Sequence, residues 1–210
     1  NWKSDGYEIR NFKDETGALR SRPQNTQYFF KEGITWSTVT MGKPSFRFSS
    51  AGRIFESGGS TLFSIEEDIY FLLGVLNSKL GELAVGILSP KVSLGEGAVA
   101  KFPIPKFDDE IKKSISKIAY TLVEDFKNME FFNESSFHFK GLDLLNSSEI
   151  FISDYSIRFQ NFFNMKIEDI YEKERTIDDL ISKQPLQNEK NNSNDRDVNE
   201  FSDEVVGQKI

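Results

Sequence analysis

The chain has 210 residues, no cysteine and a single histidine, His138. Disulfides, zinc–thiolate sites and thiol catalysis are excluded, and a histidine-based metal cluster or catalytic triad is not expected. The net charge of −7 is unevenly spread: basic residues slightly outnumber acidic ones up to Lys106 and are far outnumbered beyond it, so a basic nucleic-acid footprint has room only in the first half.

The length suits one large domain or two small ones. No apolar run reaches about 18 residues, so no membrane-spanning helix is expected. The chain opens on Asn1-Trp2 without an initiator Met. It reads as a fragment of a larger protein, with the cytoplasm as its compartment.

Residues 1–63 read as strands and loops punctuated by glycines. In "KEGITWSTVTMGKPSFRF", Lys31 to Phe48, alternation puts Ile34 and Trp36 on one face and Thr35, Ser37 and Val39 on the other. Phe46 and Phe48 share a face, opposite Ser45 and Arg47. Ile54-Phe55 and Thr61-Leu62-Phe63 read as two more short strands.

Ser64 and Glu67 have the spacing of a capping box and open a helix over about 65–88, with Glu66, Glu67 and Asp68 in its first turn. Ile69, Leu72, Leu73, Leu76, Leu80, Leu83, Ala84 and Ile87 keep helical spacing. Gly74 inside that pattern points to close packing, and Gly86 and Pro90 end it. "SLGEGAVAKFPIP" is a glycine-rich turn that precedes no helix, and Pro103 and Pro105 favour an extended exit.

From Asp108 onward Ile111, Ile115, Ile118, Leu122, Val123 and Phe126 form one apolar helical stripe, with acids at its start. Residues 130–152 read as a wrapping loop. A second stripe, Tyr155, Phe159, Phe162 and Phe163, follows a cap at Ser153 or Asp154. Residues 183–197 read as a polar mobile linker, and the segment after it as the start of another helix. The fold class is α+β. Residues 1–106 form a β-rich domain with one packed helix, 107–182 a helical spacer, and 183–210 a linker and the start of a further segment.

Several chemistries have weak sequence support. "LGEGA" is a turn rather than a cofactor loop, and no Asn/Asp-Pro-Pro-aromatic motif for amino-group methylation is present. Glu110-Ile111-Lys112 beside Asp108 and Asp109 matches half of a nuclease motif, but acids at a helix start have an ordinary dipole explanation. His138 in "SSFHFKG" reads as a packing residue. The Lys31–Phe48 stretch carries cations and hydroxyls that a core strand does not need. Arg20, Arg22, Lys31, Lys43 and Arg47 could contact phosphate, and Thr35, Ser37, Thr38 and Ser45 could donate beside them. The residues leave two readings open: a DNA-facing edge, or a solvated sheet face with ordinary surface cations.

The order of motifs resembles a known family. "YFFKEGITWSTVTMGKPSFRFSSAGRIFESGGSTLF", "YFLLGVLNSKLGELAVGILSP" and "GEGAVAKFPIP" follow one another. This series, from Tyr28 to Pro105, resembles the C-terminal specificity region of BREX-type phage-exclusion adenine-specific DNA methyltransferases and of related type IIG restriction-modification enzymes. Phe102 stands where that family has Leu, and Pro44 where it tends to have an aromatic residue. A fainter similarity continues to Tyr171. The resemblance implies a target-recognition domain for double-stranded DNA, with Arg20, Arg22, Lys31, Thr35, Ser37, Thr38, Lys43, Ser45 and Arg47 on its binding surface. It implies no catalytic, metal or cofactor residue on this chain. The S-adenosylmethionine and the catalytic domain would belong to a part of the parent enzyme upstream of Asn1, with other defence-system proteins as further partners. The alternative is a protein–protein interaction domain of the same kind of assembly.

Overall fold

A computed structural model describes residues 2–21, 23–39, 42–56, 58–90, 92–133, 135–136, 139 and 151–183. Arg22, His138, most of the expected wrapping loop, the linker and the C-terminal segment lie outside the described residues.

The fold is α+β: a small antiparallel sheet lies against a set of helices. Strand β1 (Gly33–Trp36) lies between β2 (Phe46–Ser49) and β3 (Thr61–Leu62). Ile34 pairs with Phe48 and Leu62, Thr35 with Arg47 and Thr61, and Trp36 with Phe46. The alternation read from the sequence therefore holds, and Ile34, Trp36, Phe46 and Leu62 face the core. Trp36 is fully buried, and its indole N–H donates to the Leu94 carbonyl at 2.9 Å. Ile54-Phe55 forms no strand; the chain there loops back, with Glu56 bridged to Gly59.

Helix α1 (Lys3–Arg10) occupies a segment read as strand and loop. Ser4, Asp5 and Gly6 in it are left-handed, so no clean amphipathic period marks it. The helix expected over 65–88 is two helices, α2 (Ile69–Asn77) and α3 (Lys79–Leu88), bent by 74° at Ser78. The Ser78 hydroxyl accepts from Gly81 N at 3.1 Å, and Asp178 accepts Lys79 N at 2.9 Å, so local caps replace the hydrogen bonds lost at the break. The Ser64 hydroxyl accepts Glu67 N at 3.1 Å, but α2 starts a turn later, with Asp68 as its N-cap accepting from Tyr70 N and Phe71 N. Glu67 instead pairs with Lys112 Nζ at 2.6 Å. That Lys is the one in the nuclease half motif, so its charge has a packing partner.

Helix α4 (Glu96–Val99) is a four-residue turn inside the segment read as helix-free. Helix α5 (Asp109–Glu130) packs its predicted stripe on the core from Ile111 to Val123 but leaves Phe126 exposed, whereas α6 (Ile152–Ser182) has Phe151 at its N-cap and contains Ser153 and Asp154. Helix α2 is buried from Phe71 to Leu76, between the sheet and α5. At Gly74 an added Cβ would lie 2.8 Å from Ile115 Cγ2, so the glycine lets α5 approach closely. No single helix among the described residues is long and apolar enough to cross a membrane.

Asp125 joins α5 to α6 through Lys166 at 3.3 Å and Lys173 at 2.5 Å. Burial alone would raise its carboxyl; the hydrogen bonds and charges of Lys173 and Lys166 overcome this and hold it below its ordinary value. A depressed folded pKa contributes stability above the unfolded value of about 3.9, lost as pH falls through the folded value. Asp125→Asn is expected to cost about 1–3 kcal/mol in urea unfolding at pH 7, and less as the pH falls below about 4.

Candidate nucleic-acid interface

The face of the sheet opposite the core is polar because the register puts Arg47, Thr35 and Thr61 in one row across β2, β1 and β3. Gly33 and Ser49 form the next row. Gly33 is required there: an added Cβ would meet Thr61 Cγ2 at 2.6 Å and the Leu62 carbonyl at 2.9 Å. The Thr35 hydroxyl donates to the Ser60 carbonyl at 3.0 Å, and buried Ser60 in turn donates to Glu96. Arg47 Nη2 donates to the Ser37 hydroxyl at 3.0 Å, which holds the exposed guanidinium along the sheet. The Thr38 hydroxyl reaches the Gly58 carbonyl at 3.4 Å, and Ser45 is exposed just before β2.

Beside this row lies a half-open cavity of about 360 Å³. Thr35, Ser49 and Thr61 contribute hydroxyls to it, Lys31 and Arg53 cations, and Glu56 a carboxylate; Phe55 and Phe63 form an apolar wall. Two backbone hydrogen bonds, Phe30 N to Arg53 O at 2.9 Å and Gly52 N to Phe30 O at 3.0 Å, hold the Lys31 and Arg53 segments together. Lys31 Nζ also lies 5.3 Å from the centre of the Tyr28 ring.

The sequence-predicted cations divide into two groups. Arg20 pairs with Asp14 at 2.9 Å and Lys43 with Glu82 of α3 at 2.8 Å. The Thr16 hydroxyl, helped by the amides of Ala18 and Thr16, holds the Asp14 carboxyl below its ordinary value against the cost of desolvation, so Arg20 keeps its counter-charge. Lys31, Arg47 and Arg53 have no ion-pair partner among the described residues. The structure thus brings together Lys31, Thr35, Ser37 and Arg47, and keeps Arg20 and Lys43 in separate pairs. Arg53, Glu56 and Thr61 were not among the sequence candidates. Their signal was the segment "GRIFESGGST", in which a cation and a carboxylate flank an apolar pair before two glycines. Among the described residues no three His, Asp or Glu side chains converge on a metal site.

No family model matches the chain. Two curated relatives do. One is the adenine-specific methyltransferase PglX of Lacticaseibacillus casei (strain Zhang), 35% identical over 108 residues, covering 50% of this chain and 9% of that protein. The other is the adenine-specific methyltransferase BrxX of Escherichia coli O9:H4 (strain HS), 32% identical over 121 residues, covering 55% of this chain and 10% of that protein. Over about half its length, the chain is related to BREX-type adenine-specific methyltransferases. It spans about a tenth of the length of these relatives.

Methyltransferases typically draw on S-adenosylmethionine, and the glycine-containing loop of this chain does not fit it. Gly95 opens the four-residue α4, Leu94 and Val99 are buried, and the Glu96 carboxylate is engaged by Ser60. The neighbouring space is an apolar crevice of about 30 Å³ between Leu72, Leu76, Val99 and Phe102, far too small for a nucleoside.

Proposed function

We propose that this chain is a sequence-specific double-stranded DNA recognition module of an adenine-specific DNA N6-methyltransferase in a phage-defence or restriction-modification system. It has no catalysis of its own; S-adenosylmethionine and the base-flipping pocket belong to the catalytic part of the parent. Residues 1–106 carry the recognition surface, and 107–182 are a helical spacer that supports it. One observation carries this reading: Lys31, Arg47 and Arg53, all without carboxylate partners among the described residues, lie around the half-buried Thr35, Ser49 and Thr61 on the side of the sheet opposite the core. Cations without counter-charges are free to displace the counterions of phosphate, and hydroxyl and guanidinium donors can address phosphates and base edges. Arg20 and Lys43, paired with Asp14 and Glu82, take a minor part in it.

The chain is expected to bind duplex DNA with an affinity that falls with salt, at a log–log slope of about −3 for three phosphate contacts. Fluorescence anisotropy across a salt series measures the slope. A flat salt response with a soluble, folded chain would remove the proposal.

A second reading, a protein-interaction domain of the same assembly, is favoured by α3. Leu83 and Ile87, one helical turn apart, are 62% and 72% exposed. Under that reading Leu83→Ser/Ile87→Ser abolishes a protein contact, while Arg47→Ala changes nothing.

A further inference from the structure

The cavity beside the polar row has a shape that paired DNA does not explain. In a duplex the base edges lie at the floors of the grooves, so a reader must project into them. A recess in the protein cannot reach a recess in the DNA. Whatever fills this cavity must project from its own molecule, as a phosphate or an unstacked base does.

The lining selects between those two. A phosphate alone needs cations and donors, and Lys31, Arg53 and Ser49 supply both, while the Thr61 hydroxyl donates to the Gly59 carbonyl at 3.4 Å. It has no use for the apolar wall of Phe55 and Phe63, nor for the Glu56 carboxylate, which would repel it. Glu56 Oε1 lies 3.3 Å from where a Cβ of Gly58 would stand, so the carboxylate sits against a glycine of the cavity lining. A nucleobase uses all these parts: an aromatic edge or face beside its ring, and a carboxylate accepting from an exocyclic amino group. The volume of about 360 Å³ lies within the range of about 300–1,000 Å³ that small-molecule sites occupy.

The rim is also held in an unusual conformation. Phe30, immediately before Lys31, has φ +68°, a left-handed value that non-glycine residues avoid, and the two hydrogen bonds to the Gly52-Arg53 backbone fix it there. The two cations are thereby set beside one opening. The carboxylate of neighbouring Glu32 acts on the other side of the sheet. Tyr70 of α2 has its phenol raised, first by burial and then by that charge.

We propose that this cavity is a binding site for one unstacked nucleotide carrying an exocyclic amino group, with its phosphate between Lys31 and Arg53, its ring against Phe55 and its amino edge on Glu56. The inference rests on the DNA-binding reading and adds a second mode to it. The same chemistry has two sources, a nucleotide extruded from a DNA strand or a free nucleotide. The extruded nucleotide is favoured because the cavity opens beside the Arg47–Thr35–Thr61 row that would lie on the duplex.

The test compares three probes on the 210-residue chain: a paired duplex, the same duplex with one bulged 2-aminopurine, and free AMP, CMP and TMP. The bulged duplex is expected to bind about tenfold more tightly than the paired one, the order expected for stacking one base on an aromatic ring, with increased 2-aminopurine fluorescence. Phe55→Ala is expected to erase this preference. Because Phe55 also packs on Phe29 and Phe63, the exposed Glu56→Gln variant is measured alongside, and it should cut the preference several-fold while leaving paired-duplex affinity within about twofold. Tight binding of free AMP and CMP but not TMP, lost in Glu56→Gln, would support the pocket and assign it to a free nucleotide. Equal affinity for bulged and paired duplex, with paired binding still sensitive to Arg47→Ala, would overturn this inference alone. No binding of any duplex or nucleotide would overturn both this inference and the DNA-binding reading.

Discussion

Replacing Trp36 with alanine is expected to remove about 3–5 kcal/mol of folding stability, a large share of the roughly 5–15 kcal/mol that keeps a domain folded. Trp36 is fully buried at the end of β1, tilted against Phe46 at 5.9 Å between ring centres. Its loss opens a cavity between the sheet and the helices, and it leaves the Leu94 carbonyl without the indole donor. Trp36→Phe separates the two terms. It keeps most of the volume and gives up the hydrogen bond, for an expected cost of about 1–3 kcal/mol. Urea midpoints for both variants test the order. Equal losses would mean that the hydrogen bond, not the ring volume, carries the site.

A comparable loss is expected at Gly81. A Cβ there would lie 2.3 Å from the Leu76 carbonyl oxygen and 2.5 Å from that of Val75. Both are backbone atoms at the α2–α3 bend, and they cannot move unless the bend opens. Gly81→Val should therefore cost about 3 kcal/mol or more, with the loss appearing as a lower thermal midpoint. Gly74→Ala is the control. Its new methyl would meet the branch methyl of fully buried Ile115 at 2.8 Å, a side-chain contact that a small shift of α5 away from α2 relieves without opening either helix. The gain of about 1 kcal/mol in helix propensity offsets some of the remainder. If Gly81→Val were milder than Gly74→Ala, the bend would not be the constraint that the structure makes it.

The legible parts of this fold were those governed by local period. Alternation put Ile34 and Trp36 opposite Thr35 and Ser37, and Phe46 opposite Arg47, as the fold has them, and the α5 stripe packs on the core from Ile111 to Val123, with Phe126 exposed. The α2–α3 break escaped because Leu76, Leu80 and Leu83 keep helical spacing across it. The break depends on Ser78 as a cap and on Asp178, ninety-nine positions away from Lys79 in the chain. The cavity escaped for the same reason. It exists only once β1 pairs with β3 and the Gly52-Arg53 backbone meets Phe30, and neither contact leaves a periodic trace. Charge was the least legible property. Arg20 and Lys43 look like Arg47 in the sequence, yet Asp14 and Glu82 neutralise them in the fold. Arg53, which lacks such a partner among the described residues, stands just before Ile54-Phe55, a pair read as a plain strand.

That division of cations yields the most direct measurement: duplex affinity at fixed salt, near 0.1 M, for two double variants. Arg47→Ala/Arg53→Ala is expected to weaken binding by roughly 30-fold or more and to make the salt slope shallower by about 2, whereas Arg20→Ala/Lys43→Ala stays within about twofold of the parent chain. Equal losses in the two variants, or a larger loss in the second, would contradict that division.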